Sequence, residues 1–294
     1  MLGELQFIQN YRDSEQHRES FFQLANSIFG LEFKSWYQHG FWGKGYIPFS
    51  YVVDDKVVAN VSINILELII DGEQKRALQV GTVMTHPDYR NKGLSKSLMN
   101  KVLEEYKNMY DFMYLFANES VLDFYPRFGF EIVDEYQFSV NFSSNQKSIN
   151  KPRKLNMKNV EDINFIFKFA KERIPVSDRF STRNSLGILM YYCLNVFCND
   201  IYYLESDDVI IIFNENENQI DIFDIISKQK KDINNILIEI SGKGSKKIVF
   251  PYTPDYKGFI FDRNPIKDGG TLFVKTNGNN YFPKHVKHPI TSEA

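Results

Sequence analysis

The sequence predicts an α+β (mixed α/β) chain with a central, mostly antiparallel sheet flanked by helices, and three observations predict it. β-rich runs are joined by hairpin-type turn residues, above all Asp71-Gly72 between the run Lys56 to Ile70 and the run Arg76 to Thr85. An amphipathic helix follows the second run, with Leu94, Leu98, Val102 and Tyr106 recurring every fourth residue beyond Gly93. The outline of strands, helix and strand then returns in fainter form after residue 151. With 294 residues and 43% apolar content, length favours two domains, 1–142 and 151–294, around the polar stretch Asn141 to Pro152.

Each element has a local reason. Leu5 to Gln9 reads as a first strand, and Glu15 to Phe29 as a helix with Phe21, Phe22, Leu24, Ala25, Ile28 and Phe29 on its apolar side, stopped by Gly30. A short helix over Glu32 to Gln38 precedes a glycine-rich aromatic loop, His39 to Tyr46. Asp54-Asp55 separates the strands Phe49 to Val53 and Lys56 to Ile70. Beyond the helix that ends near Lys107, Phe112 to Ala117 is a short buried strand, Ser120 to Phe128 a helical turn, and Glu131 to Asn141 one or two strands. The second half is expected to run as helices Val160 to Arg173 and Ser185 to Phe197, then strands Ile201 to Glu205, Val209 to Phe213 and Gln219 to Ile226. A helix Gln229 to Ser241 and strands Lys246 to Pro251 and Thr271 to Lys275 complete it.

Composition excludes several classes. A formal net charge of −2 leaves no basic footprint for nucleic acid. No apolar run is long enough to span a bilayer, and Met1-Leu2-Gly3-Glu4 has neither a basic nor an apolar leader, so a cytoplasmic location is expected. Cys193 and Cys198 have neither redox nor zinc spacing and read as buried thiols, so no metal is expected. His285 and His288 fall in the Lys- and Pro-rich run Pro283 to Pro289, which reads as a loose, solvated tail.

The stretch Val83-Met84-Thr85-His86-Pro87-Asp88-Tyr89-Arg90-Asn91-Lys92-Gly93, with Leu94 and Ser95 behind it, carries the chemistry. A helix entered from a strand through a glycine turn presents unpaired N–H groups and the positive end of its dipole, and phosphate oxygens bind there. Glycine at 93 lets an anion approach the backbone, and Arg90 and Lys92 add charge at the rim. A solvated turn is the alternative for these two cations.

Arg90-Asn91-Lys92-Gly93-Leu94-Ser95 resembles motif A of the GNAT superfamily of acyl-CoA-dependent N-acetyltransferases, Arg/Gln-x-x-Gly-x-Gly/Ala. Its setting matches too: Val83-x-Thr85 and His86-Pro87 precede it. Leu115-Phe116-Ala117-Asn118 and Phe124-Tyr125-Pro126-Arg127-Phe128-Gly129-Phe130 follow, with the family's spacing from Asn118 to Tyr125. The resemblance implies the GNAT fold, whose sheet splays between the strand of Val83 to Thr85 and that of Leu115 to Asn118. It also implies acetyl-CoA as co-substrate, with the pantetheine arm paired to main-chain groups of Val83, Met84 and Thr85. The diphosphate would lie on Arg90, Asn91, Lys92, Gly93, Leu94 and Ser95, with Asn118 beside the arm. The acceptor would be a small-molecule or peptide amine, with one wall of its pocket near Trp42. Tyr125 would be the acid that protonates the leaving thiolate; Pro126 biases it away from helical angles.

No base is assignable. The run Leu78 to Thr85 has no acid, and Glu67 and Glu73 are the nearest carboxylates, with Glu67 favoured for the solvated face of its strand. A non-catalytic acyl-CoA sensor is therefore the alternative function. The second half resembles a degenerate GNAT fold without the motif: Lys228, Lys230 and Lys231 precede its helix, but no glycine does. It is expected to be non-catalytic, covering the acceptor pocket or forming a homodimer contact, and Ala294 is given no role.

Overall fold

The structure is a computed structural model describing residues 4–145, 151–242, 244–266 and 269–294. Residues 146–150 of the expected linker lie outside the described residues. The N-terminal elements are β1 (Gln6–Gln9), α1 (Glu15–Phe29), α2 (Lys34–Gln38), β2 (Tyr46–Val53), β3 (Lys56–Ile70), β4 (Glu73–Thr85), α3 (Leu94–Glu105), β5 (Phe112–Ala117), β6 (Glu131–Val133) and β7 (Tyr136–Ser144). Then follow β8 (Arg153–Lys154), α4 (Val160–Lys171), β9 (Phe180–Arg183), α5 (Leu186–Asn195), β10 (Ile201–Leu204), β11 (Val209–Asn216), β12 (Gln219–Ile226), α6 (Ile233–Ser241), β13 (Gly244–Phe250), β14 (Asp262–Pro265) and β15 (Thr271–Thr276).

Two mixed sheets organise these strands. The first has the order β1-β2-β3-β4-β5-β15-β6, with β9 also on β3; the second has β8-β10-β11-β12-β13-β7-β14. The plans match. In each, an antiparallel run leads to one parallel pair bridged by a helix, β4 with β5 and β12 with β13. In each, the next strand is borrowed from the other half of the chain: β15 pairs antiparallel with β5, and β7 with β13. Sheet membership therefore crosses the 142–151 stretch in both directions.

The local expectations hold where periodicity carried them. α1 buries Phe21, Phe22, Leu24 and Ala25 and ends at Gly30 in the left-handed conformation (φ 69°), which glycine adopts without a Cβ clash. α6 begins at Ile233, later than expected from Gln229, because the Asp232 side chain accepts the Asn234 N–H at 2.9 Å and sets the start there. One apolar core joins the halves: Trp36, Phe41 and Trp42 pack with Ile163, Ile166 and Leu189, and Trp36 Nε1 donates to the Gly187 carbonyl at 2.7 Å. Among the described residues no helix is long and apolar enough to cross a membrane.

The segment Val286 to Ser292 contradicts the expected loose tail. Val286 and His288 are fully buried and Lys287 nearly so. Lys287 Nζ donates to Glu135 Oε2 (3.1 Å) and Glu293 Oε1 (2.6 Å), and the His288 N–H donates to Glu135 Oε1 (2.8 Å). Polar side chains enter the interior there because each finds a charged or hydrogen-bonding partner. Cys193 is buried as expected, whereas Cys198 is only half-buried.

Candidate active site

The parallel pair β4–β5 is in register only over Ala77, Leu78 and Gln79. Beyond Gln79 no strand lies along the β5-facing edge of β4 among the described residues, and the two strands part, as the resemblance implied. A bulge helps to turn β4 away. Its register on β3 slips between Asn60 and Ser62, and Thr82 takes a left-handed backbone (φ 49°), uncommon for a β-branched residue. Buried partners hold that geometry. Asn60 Nδ2 donates to the Thr82 carbonyl (2.9 Å), Ser50 Oγ donates to Asn60 Oδ1 (2.8 Å), and the Tyr46 hydroxyl is bonded to Thr82 Oγ1 (2.8 Å). The sequence gives no signal for this support, because Asn60 lies among alternating strand residues and its partner is made only by the bulge.

The turn into α3 is built from two left-handed residues, Asn91 (φ 60°) and Gly93 (φ 76°), with Gly93 as the N-cap. No side chain caps the helix, and no backbone N–H from Asn91 to Lys96 has a partner among the described residues. Free amides at the positive end of a helix dipole are the features by which a backbone binds anions. Side chains brace the turn from behind: Thr85 Oγ1 is bonded to Ser95 Oγ (2.7 Å), Arg90 Nε donates to the Thr85 carbonyl (3.3 Å), and Lys92 Nζ donates to the Asp88 carbonyl (3.0 Å). Arg90 and Lys92 are otherwise exposed, with no carboxylate in contact, so both charges are available at the rim.

A cavity of about 990 Å³ opens between the parted strands. It is lined by Val83, Met84, Thr85, Arg90, Ser95, Asn118 and Tyr125, whereas Asn91, Lys92, Gly93 and Leu94 lie outside its lining, at the exposed turn. Asn118 Oδ1 caps the following turn, accepting the N–H (3.2 Å) and Oγ–H (2.6 Å) of Ser120. Tyr125 opens a 3₁₀ turn, Tyr125–Phe128, despite Pro126 after it. Its ring packs on Phe124, Phe130 and Phe273, and burial pushes its pKa up to about 12. The phenol therefore stays protonated across the neutral range.

The opposite wall is aromatic. Phe33 packs on Trp36 (5.6 Å between ring centroids), Tyr46 (6.3 Å) and Tyr191 (5.3 Å), and all four line the cavity. Trp42, expected in this wall, is buried behind it, donating from Nε1 to the Tyr46 carbonyl (3.0 Å). Glu67 is half-buried in register between Arg76 and Arg183, outside the cavity lining, and Glu73 is exposed and paired with Lys75.

Glu293 and Ala294 line this cavity as well, a placement the sequence analysis missed. Ala294 lies so close to Gly81 that a Cβ added there would meet its carbonyl carbon at 3.2 Å, so Gly81 permits the approach. Burial raises the pKa of Glu293 to about 7, with Lys287 opposing the rise and Glu135 adding to it. His288 is driven well below its usual range, first by burial and then by Lys287. Its Nδ1 faces the Pro289 carbonyl (3.1 Å), so the neutral ring carries its proton there and Nε2 accepts from the Tyr114 hydroxyl (3.0 Å). Among the described residues no cluster of three or more His, Cys, Asp or Glu could hold a metal ion.

Residues 14–133 match the family model of the acetyltransferase (GNAT) domain. The match covers 120 of the 294 residues, the N-terminal part that carries β4, the turn into α3 and β5. Similar crystal structures share the fold over nearly the whole chain. They include a conserved protein of Enterococcus faecalis (12% identity, 93% of this chain and 72% of that one, TM-score 0.59). A GCN5-related N-acetyltransferase from Kribbella flavida (13%, 93% and 71%, 0.55) and Eis1 from Mycobacterium abscessus (12%, 92% and 72%, 0.55) are similar to it as well. Comparison with curated proteins gives no match.

Proposed function

We propose that this protein is an N-acetyltransferase that moves the acetyl group of acetyl-CoA to a primary amine by direct attack. One observation carries the reading: a run of partnerless amides, Asn91 to Lys96, follows the end of β4 at Thr85, beyond the point where β4 and β5 have parted. The amides of Asn91, Lys92, Gly93, Leu94 and Ser95 bind the diphosphate, with Arg90 and Lys92 supplying charge. The pantetheine arm runs along Val83, Met84 and Thr85, pairing with the edge that β5 leaves open, and Asn118 flanks it from the facing strand end. The thioester carbonyl then lies beside a strand N–H near the bulge, which stabilises the oxyanion of the tetrahedral intermediate.

Tyr125 gives its proton to the departing thiolate. Its raised pKa suits it to remain a donor at neutral pH, and the apolar packing of its ring excludes water from the sulfur. The C-terminal region forms the wall of the acceptor side through Tyr191 and Tyr192.

Calorimetry with acetyl-CoA, followed by thiol release with a panel of primary amines, tests this. Binding with one site per chain and turnover on at least one amine are expected. Binding without turnover across the panel would convert the protein into an acyl-CoA sensor; absence of binding would overturn the reading entirely.

A further inference from the structure

Four residues stand in one row across the first sheet: Tyr46 on β2, Asn64 on β3, Gln79 on β4 and Tyr114 on β5 are neighbours in register. They share the face turned away from α3, because Ile63, Leu78, Val80 and Met113, next to them in the chain, pack with Leu98, Met99 and Val102 of α3 on the other. The ends of the row are satisfied. The Tyr46 hydroxyl is bonded to Thr82 Oγ1 (2.8 Å), and the Tyr114 hydroxyl donates to His288 Nε2 (3.0 Å). The middle is not: Asn64 Nδ2 and both Nε2 and Oε1 of Gln79 are buried with no partner among the described residues.

A buried donor or acceptor left unmade costs stability, and it marks a place that a ligand or an enclosed water completes. The position of Asn64 favours a ligand. Gln79 is fully buried behind it, whereas Asn64, 6% exposed, lines the cavity with Phe33, Trp36, Tyr46 and Tyr191. The polar tips of Trp36 and Tyr46 are already engaged, on the Gly187 carbonyl and on Thr82, so Asn64 adds a hydrogen-bonding amide to a wall of ring faces. Its register partner Gln79 lies two residues before Gly81 on β4, about 7 Å along the strand, and Gly81 directly precedes the bulge residue Thr82.

We propose that Asn64, backed by Gln79, sets the specificity for the acceptor by hydrogen-bonding a neutral polar group, a hydroxyl or a carboxamide, carried about 7 Å from the acceptor's amine. This rests on the acyl-transfer reading above. The two side-chain amides both donate and accept, and their complement is a group that does both; an ammonium only donates and a carboxylate only accepts. An acceptor with a methyl group at that point covers the amides and leaves them unpaired, the arrangement by which a site rejects an analogue lacking one hydroxyl.

The test measures kcat/KM for three amines with the full chain and with Asn64→Leu. 5-Aminopentan-1-ol and 5-aminopentanamide carry a hydroxyl or a carboxamide at that distance, and hexylamine has a methyl group where the alcohol has its hydroxyl. All three carry one ammonium, so the carboxyl groups near the acceptor, Glu293 and Ala294 in the lining and Glu32 beside Tyr191, act on them alike. The unchanged protein should prefer the alcohol or the amide to hexylamine by at least about tenfold, short of the ~10⁴–10⁵ of a preorganised site because the probes are flexible. The larger of the two ratios names the group. In Asn64→Leu the ratio should fall toward one, through KM rather than kcat, since the bond is already made in the ground state. Calorimetric affinity for acetyl-CoA should be unchanged; Asn64→Ala gives the same reading if the Leu variant does not fold. Gln79→Met keeps the side chain's length and removes an unpaired amide, so its denaturation midpoint without acceptor should rise. A ratio near one in the unchanged protein, a ratio that survives in Asn64→Leu, a lowered midpoint in Gln79→Met as for amides completed inside the fold, or acetyl-CoA binding with none of the three amines acetylated would each overturn the proposal while the cofactor site stands. Failure of the unchanged protein to bind acetyl-CoA would overturn both.

Discussion

The two halves of this chain share a sheet plan and differ where their central parallel pairs part. In the N-terminal half the gap beyond Gln79 is open, and α3 begins at a glycine with no side chain over its amides. In the C-terminal half β12 and β13 are in register over Gln219, Ile220 and Asp221 and then part as well. There the space is closed. Arg173 forks onto Asp224 with contacts of 2.8 and 2.7 Å, Thr291 Oγ1 donates to the same carboxylate (2.7 Å), and Tyr252 is fully buried nearby. The Asp232 side chain covers the start of α6, and Lys228 and Lys230 are spent on Glu172 and Asp178. A cavity of about 330 Å³ remains beside it. One topology thus leaves free amides and open space in one copy and a packed joint in the other, because strand order alone fixes neither.

The comparison can be broken most forcefully at Gly93. Gly93→Val forces a β-branched residue into a left-handed backbone, although a Cβ there meets nothing within 4 Å. It either pulls the turn out of shape or covers the amides. Acetyl-CoA affinity should fall at least 100-fold by calorimetry, about 2.7 kcal/mol, with an unchanged circular dichroism spectrum; normal binding would show that the turn is not the cradle.

Tyr125→Phe keeps the ring contacts and removes the proton donor. Turnover should drop at least tenfold in thiol-release assays, within the ~10²–10⁴ that acid–base catalysis supplies, while acetyl-CoA affinity is preserved. Equal turnover would remove Tyr125 from the chemistry.

Arg173→Ala strands the buried Asp224 and should cost about 3–5 kcal/mol of stability in denaturant titrations. Its acetyl-CoA affinity should match that of the unchanged protein. A second binding event in this variant would mean that the C-terminal gap is a masked site. Asn60→Ala leaves the Thr82 carbonyl without its donor and should cost about 1–3 kcal/mol, with a lower kcat if the bulge positions the oxyanion donor. Lys230→Ala removes an exposed ion pair and should leave the denaturation midpoint essentially unchanged; a loss of acetyl-CoA affinity there would contradict the division between the halves.

The first half was legible because its signals are local. Gly93 after a β-rich run, the fourfold spacing of Leu94, Leu98 and Val102, and Asp71-Gly72 each dictate a conformation within a few residues, and α3 and the β3–β4 hairpin lie where they indicate. The splay of β4 from β5 came from resemblance alone, since two apolar strands carry no mark of where their pairing stops. The acceptor side was illegible for the same reason. Trp42, in the glycine-rich loop, packs behind the wall that Trp36 and Tyr46 present, and Tyr191 and Tyr192 arrive from a helix more than a hundred residues away.

The sequence by itself determined the elements and the glycine turn into α3, because backbone preference and apolar period act over one or two turns of chain. Tertiary structure alone decided the exchange of β7 and β15 between sheets, since an apolar strand bonds to whichever free edge buries it and its own residues do not specify that edge. It also decided that Lys287 and His288, polar residues in a Pro-flanked run, lie inside the molecule and that Glu293 lines the cavity. Lys287 and His288 are tolerable there only beside Glu135 and Tyr114, partners more than 150 residues distant in the chain.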